Sequence, residues 1–194
     1  MRTIQQRLDD ILPKLMNPDF MKKNGLANED NYYIFQYIPE YEMLVRDHIA
    51  YLKQRINDDH NISFNVTEFD LYEIILSVLG KKGYLAKNFE MEQRYGSEKV
   101  YKATSHTLRL TQDDDQVIKY IREHVQSGNI IFITGVGKAF PLIRSHMILN
   151  NLFHATDHTP VILFFPGNYD GQELNLFNAL KDDNYYRAFP LVAD

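Results

Sequence analysis

The 194-residue sequence contains no cysteine and no tryptophan. The absence of cysteine excludes disulfides, thiolate catalysis and cysteine-held zinc or iron–sulfur sites, and it fits a reducing cytoplasm. Long apolar runs are also missing: no stretch approaches the ~20 apolar residues of a membrane span, and the N-terminal sequence MRTIQQRLDD lacks the apolar core of a signal peptide. We therefore expect a cytoplasmic protein.

Glycine and proline are scarce, at 9 and 7 residues, and they are spread along the chain without forming a linker. No repeat or low-complexity tract interrupts the sequence. With 44% hydrophobic residues, a chain of this length buries roughly 70% of its unfolded surface on folding. These features predict a single domain over residues 1–194.

Acidic residues outnumber basic ones, with 26 Asp and Glu against 21 Lys and Arg, which gives a formal net charge of −5. An acidic balance argues against strong non-specific attraction to phosphate backbones. Direct nucleic-acid binding is therefore disfavoured by the overall charge.

The pattern of the N-terminal segment predicts an interrupted helix. Thr3 and Gln6 have the spacing of a capping box, and apolar residues recur after them at helical spacing. Pro13 removes a backbone hydrogen bond, so we expect this helix to bend or stop near residue 12. A second short turn is expected to open at Asn17–Pro18.

Strand and helix patterns alternate through the rest of the chain. The predicted strands cover residues 32–38, 62–67, 130–133, 161–165 and 188–192. The predicted helices cover residues 41–56, 70–79, 84–126 with breaks at Gly96 and 113–115, and 141–153. The third and fourth strands are uninterrupted apolar runs, which is typical of parallel strands covered on both faces.

This order predicts a three-layer α/β/α domain with right-handed crossovers and a mainly parallel sheet of about five strands, P-loop-like or Rossmann-like. In such sheets, ligands bind at the carboxyl ends of the strands, beside helix N-termini. Those ends carry Asp70, residues 135–138 and residues 166–170. Candidate functional residues are therefore sought there.

A glycine turn, residues 134–138 (TGVGK), follows the predicted third strand and has the context of a phosphate-binding loop. A Walker A loop needs a glycine five positions before its Gly-Lys pair and a hydroxyl residue after the lysine. Phe132 and Ala139 occupy these two positions. The turn therefore lacks the loop length and the magnesium ligand that nucleotide hydrolysis requires, and it is a degenerate phosphate loop.

One interpretation of this turn is a site that binds an anion without hydrolysing a nucleotide. Gly135, Gly137 and Lys138, with Arg144 nearby, could hold a carboxylate or phosphate. The alternative is a tight strand-to-helix turn in which the glycines only permit the backbone angles.

No complete catalytic or metal motif appears. Asp70 could be a catalytic carboxylate, but its spacing to Glu73 is typical of a helix cap. Asp170 and Glu173 could form an acid pair, although Asp-Gly is a common turn dipeptide. The seven histidines lack metal-binding spacings. We therefore expect no catalytic residues, no metal and no cofactor.

Aromatic and charged residues cluster near the C-terminus. Tyr and Arg are frequent at interface hot spots because they bury a large area and keep a polar end bonded. A tyrosine-rich core is the alternative interpretation. The candidate interface residues are Tyr169, Asp170, Tyr185, Tyr186 and Arg187.

Ordered motifs over nearly the whole chain resemble the BrxB family of BREX bacteriophage-defence systems. The motifs that carry the resemblance are residues 31–35 (NYYIF), 69–72 (FDLY), 134–138 (TGVGK), 144–146 (RSH), 149–152 (LNNL), 164–167 (FFPG), 169–171 (YDG) and 182–187 (DDNYYR).

The resemblance implies a cytoplasmic member of a multi-protein system that distinguishes phage DNA from methylated host DNA. It implies a non-catalytic adaptor that binds PglZ, a larger alkaline-phosphatase-like BREX protein, and possible contacts with other BREX proteins are implied too. The alternative function is a nucleotide- or phosphate-binding regulatory domain that uses residues 134–138.

Overall fold

The computed structural model describes residues 2–22, 31–152, 159–182 and 188–193. Its strands are β1 (Tyr32–Tyr37), β2 (Val66–Asp70), β3 (Ile130–Thr134), β4 (Val161–Tyr169), β5 (Leu174–Leu176), β6 (Leu180–Asp182) and β7 (Phe189–Pro190). Its helices are α1 (Ile4–Asp9), α2 (Ile11–Met16), α3 (Pro18–Lys22), α4 (Glu42–Asn57), α5 (Leu71–Lys81), α6 (Leu85–Tyr95), α7 (Ser97–Leu108), α8 (Gln116–His124), α9 (Val136–Ala139) and α10 (Ser145–Leu152).

The strands form one mainly parallel sheet in the order β2-β3-β4-β1-β7. The long strand β4 lies between β3 and β1, with Leu163 opposite Ile133 on one side and Ile34 on the other. Beyond this sheet, the end of β4 pairs antiparallel with β5, and β5 pairs with β6. The predicted α/β class with a mainly parallel sheet is confirmed, and its P-loop-like or Rossmann-like detail stays a prediction.

Separate hydrophobic cores cover the two faces of the sheet. On one face, α1, α2 and α4 pack over three strand phenylalanines, with ring centroids 5.7 Å apart for Phe35 and Phe164 and 5.0 Å apart for Phe132 and Phe164. On the other face, α5 and α8 pack over Ile133 and Leu163. Strands β3 and β4 have continuous apolar sequences because both of their faces are covered.

The second strand begins later than its alternating pattern predicts, at Val66 instead of Ile62. Residues 58–65 form a turn, in which the amide of Ile62 donates to the carbonyl of Asp59 at 3.0 Å. Ile62 and Phe64 pack against the core from this connection. Their alternation therefore reflects burial of a loop and not pairing of a strand.

Prolines shift two helix boundaries. The first helix breaks at Asp10, which places Pro13 in the first turn of α2, where its missing N–H is not needed. The helix predicted over 141–153 begins later, as α10 at Ser145, and Pro141 lies in the connection that leads to it from the single turn α9. The last predicted strand shortens to Phe189–Pro190.

None of the helices in the described ranges is long and apolar enough to cross a membrane.

Candidate functional site

The carboxyl ends of β2 and β3 bring the sequence-predicted turn next to Asp70. Asp70 lies opposite Thr134 in the parallel register, and Gly135 to Lys138 follow directly. The site is therefore assembled from two neighbouring strand ends, as expected for a parallel sheet.

Asp70 uses its two carboxylate oxygens for different contacts. Oδ1 caps α5 by accepting from the backbone N–H groups of Tyr72 (3.0 Å) and Glu73 (3.3 Å). Oδ2 accepts from the ammonium of Lys138 at 2.5 Å. Both side chains are largely shielded from solvent, and the ammonium also lies 5.8 Å from the centre of the Tyr72 ring. The positive charge of the glycine turn is therefore paired within the protein.

Protein atoms also fill the space above the glycines. Gly135 has a left-handed φ of 72°, and a Cβ there would overlap the carboxylate of Asp70. A Cβ on Gly137 would lie 2.9 Å from Cε1 of Phe177 and 3.5 Å from Cγ of Pro166. The glycines thus allow close approach of these side chains.

Arg144 does not join this cluster. Its side chain is exposed, and its carbonyl accepts from the amide of Met147 in the first turn of α10. Of the four candidate anion-binding residues, the structure brings Gly135, Gly137 and Lys138 together and leaves Arg144 apart.

Glu68 forms a second polar cluster that sequence reasoning missed. Its Oε1 accepts from the hydroxyl of Thr134 at 2.7 Å, and its Oε2 accepts from the ammonium of Lys53 at 2.6 Å. These contacts tie β2 to β3 and to α4. Prediction of the second strand over Val66–Asp70 would have indicated this cluster, because the two-residue period of a strand places Glu68 and Asp70 on the same face of the sheet.

A cavity of about 500 Å³ opens beside these clusters at the outer strand of the sheet. It is lined by residues of both charges together with aromatic and apolar groups: Arg46, Thr67, Glu68, Phe69, Asp70, Glu73, Ile74, Tyr120, His124 and Lys138. The lining of the cavity is therefore not uniformly positive, as an anion-binding site would be.

The candidate interface residues fall into different environments. Tyr169 is buried, and its hydroxyl donates to the carbonyl of Ala188 at 3.0 Å. Asp170 is exposed, and its Oδ1 accepts from the amides of Gln172 (2.9 Å) and Glu173 (2.8 Å). Tyr185, Tyr186 and Arg187 lie outside the described residues.

The described part of the chain shows no group of three His, Asp or Glu side chains that could hold a metal ion. Asp70 serves as a helix cap, and Asp170 organises a turn. The half-buried His48 packs beside Tyr51, and burial lowers its pKa. The arrangement can stabilise the strand ends.

Comparisons with known proteins all point to one family. A family model described as BREX protein BrxB matches residues 67–191. The chain is 55% identical to the BREX protein BrxB of Bacillus cereus (strain H3081.97) over 192 residues, which cover 99% of each chain. It is 30% identical to the BREX protein BrxB of Escherichia coli O9:H4 (strain HS) over 191 residues, 98% of this chain and 92% of the relative.

No solved structure gave a significant match. The family model spans more than half of the chain, and both relatives are matched over nearly their full lengths. The chain therefore belongs to the BrxB family of BREX proteins.

Proposed function

We propose that this chain acts in its BREX phage-defence system as a non-catalytic adaptor that binds PglZ. The observation that carries the proposal is the pairing of Lys138 with Asp70, beside a glycine turn that Asp70 and Phe177 approach closely. With its cation neutralised, the turn offers an anion little attraction, which favours recognition of a protein partner over handling of a nucleotide.

Electrostatics oppose phosphate binding at this turn. An anion that displaced Asp70 from Lys138 would still meet the carboxylate, because Asp70 is held in place by the two backbone N–H groups of α5. Two like charges a few ångströms apart disfavour each other strongly at a shielded site. The ion pair is therefore best understood as a structural link between α5 and the turn.

We place the adaptor interface around the C-terminal aromatic cluster. Arg187 directly precedes Ala188, whose carbonyl is fixed by the buried hydroxyl of Tyr169. Tyr169 thus holds Ala188 in place, and Asp170, the residue after Tyr169, is exposed. The contact residues in the proposal are Asp170, Tyr185, Tyr186 and Arg187.

Co-purification with PglZ of the same BREX system tests the proposal. The unaltered chain is expected to retain PglZ at micromolar concentration, and the double variant Tyr186→Ala/Arg187→Ala to lose it with an unchanged circular-dichroism spectrum. The matched control, Tyr51→Ala/Arg55→Ala on exposed positions of α4, should retain PglZ fully. Failure of the unaltered chain to bind PglZ would refute the adaptor function.

Calorimetry distinguishes the adaptor from a nucleotide-binding regulatory domain. We expect no heat of binding with ATP, GTP or cyclic nucleotides, for either the unaltered chain or Lys138→Ala. Nucleotide binding that disappears in Lys138→Ala would favour the regulatory function instead.

A further inference from the structure

Positive charge is concentrated in one segment of this acidic chain. Residues 81–109 contain seven Lys and Arg against three Asp and Glu, whereas the rest of the chain contains 14 against 23. This segment, the basic hairpin, starts at the last residue of α5 and includes α6 and α7, which are joined at Gly96. The net charge of the whole chain therefore conceals a local excess of four positive charges.

Few residues of the basic hairpin pack against the rest of the protein. Helix α6 has no buried residue, and α7 buries only Thr104 and Leu108. Leu85 and Leu108 pack against the core, and the side-chain Nδ2 of Asn88 donates to the hydroxyl of Thr104 at 3.2 Å between the two helices. Most of the hairpin surface therefore faces solvent.

The cations of the hairpin are only partly neutralised within it. Glu98 pairs with Lys102 at 2.6 Å on α7. Among the described residues, no ion pair involves Arg94 or Lys99. Lys99, Lys102 and His106 follow one another at spacings of three and four, which places them in one row along α7. Lys99 and His106 in this row, together with Arg94, are open to an anionic chain, whereas Lys102 is paired with Glu98.

Large exposed apolar side chains of the hairpin are all aromatic: Tyr84, Phe89, Tyr95 and Tyr101. Phe89 is 66% exposed and Tyr95 is 69% exposed. By contrast, the exposed apolar surface at the start of α4 includes the aliphatic side chains of Ile38, Met43 and Leu44. Exposed aromatic rings on a helix that also carries cations suit stacking on nucleobases.

We propose that the basic hairpin binds single-stranded nucleic acid, with the phosphates on its Lys and Arg side chains and the bases stacked on Phe89 and Tyr95. The acidic body does not prevent this. Helix α6 has 11 residues and is therefore ~16 Å long at 1.5 Å per residue, twice the ~8 Å over which physiological salt screens charge. Arg94 and Lys99, which flank Gly96, are therefore separated from the charges at the Leu85 end of α6 by more than one screening length.

Fluorescence anisotropy with fluorescein-labelled dT20 tests the proposal on the full chain. We expect micromolar binding in 50 mM salt. If about four phosphates are neutralised, the affinity should fall by roughly 50-fold between 50 and 200 mM salt, since the logarithmic slope is about −0.7 per phosphate contacted on a single strand.

Paired variants separate the hairpin from general charge effects. Arg94→Gln/Lys99→Gln should weaken dT20 binding at least tenfold, whereas Lys14→Gln/Lys119→Gln, which removes two exposed cations elsewhere, should change it less than twofold. Phe89→Ala/Tyr95→Ala should weaken binding by tenfold or more. Phe89→Tyr/Tyr95→Phe keeps both rings and should bind normally.

Three results would overturn the proposal. The first is no binding of dT20 by 20 µM protein in 50 mM salt. The second is equal affinity for a 20-base-pair duplex together with normal binding by Phe89→Ala/Tyr95→Ala, because stacking would then play no part. The third is loss of PglZ capture in the hairpin variants while dT20 stays unbound, which would make the hairpin a protein interface.

Discussion

The side-chain amide of Asn57 forms two hydrogen bonds with the backbone of Val66, as a neighbouring strand would. Its Nδ2 donates to the carbonyl of Val66 at 3.0 Å, and its Oδ1 accepts from the amide of Val66 at 2.8 Å. Val66 begins β2, the outer strand of the sheet on that side. Asn57 thereby satisfies backbone groups that an edge strand otherwise leaves to solvent or to another chain.

Replacement of Asn57 should destabilise the protein measurably. We expect Asn57→Ala to lower the free energy of unfolding by about 1–2 kcal/mol, because two hydrogen bonds to a buried backbone are lost. Urea denaturation checks this value. Gln54→Ala, an exposed position on the same helix, should change stability by less than about 0.5 kcal/mol, and equal unfolding midpoints of the two variants would contradict the role given to Asn57.

The ion pair of Asp70 and Lys138 should appear as energetic coupling. We expect Lys138→Met to lower the free energy of unfolding by about 0.5–1 kcal/mol, as for a partly exposed pair. Asp70→Ala should lower it by about 1–2 kcal/mol, because the cap of α5 is lost as well. In the double variant, the effects should fall short of additivity by more than about 0.5 kcal/mol. Strict additivity in urea unfolding would mean that Lys138 is available to an anion.

Gly135 and Gly83 provide a matched pair for the close packing of the glycine turn. Both have positive φ, 72° and 69°, but a Cβ at Gly83 would meet nothing within 4 Å, whereas one at Gly135 would overlap Asp70. Gly83→Ala should therefore lower the free energy of unfolding by about 1 kcal/mol, for the left-handed backbone alone. Gly135→Ala should cost at least 1 kcal/mol more, an order-of-magnitude value for overpacking, and thermal unfolding measures the difference.

Protonation of His48 should weaken the fold in mild acid. Burial lowers the pKa of its imidazole, and the charge of Asp9 and a hydrogen bond to the backbone of Leu8 oppose this shift only in part. The folded state therefore binds this proton less readily than the unfolded chain, so its contribution to stability is lost as the pH falls below about 6.5.

Urea unfolding at pH 7.5 and pH 5 tests the role of His48. His48→Gln should show a smaller loss of stability on acidification than the unaltered chain. His60→Gln, at an exposed position, should keep the original pH dependence. An identical pH dependence in His48→Gln would assign the effect to other groups.

Local sequence signals predicted the parts of the fold that depend on neighbours along the chain. The capping box of Thr3 and Gln6 forms as its spacing predicts. Asp70 and Asp115 cap α5 and α8, and the apolar runs of β3 and β4 are buried central strands. These features depend on spacings of a few residues, which the sequence displays directly.

Contacts between distant residues escaped prediction. Thr134 and Glu68 are separated by 66 residues, and Lys138 and Asp70 by 68. Their pairing depends on the register of β2 and β3, which periodicity alone does not specify. The β5–β6 hairpin was missed for another reason: its turn places Phe177 and Asn178 at φ 56° each, without the Asn-Gly or Asp-Gly pair that usually marks such turns.

The length of β4 has a mechanical consequence. Residues 161–166 pair with β1 in the parallel sheet, and residues 167–169 pair with β5 in the hairpin. Sheet and hairpin therefore share one continuous backbone, with no flexible joint between them. A force applied to the hairpin, whose Phe177 covers Gly137, passes directly into the centre of the molecule, so a partner that docks at this end meets a stiff surface.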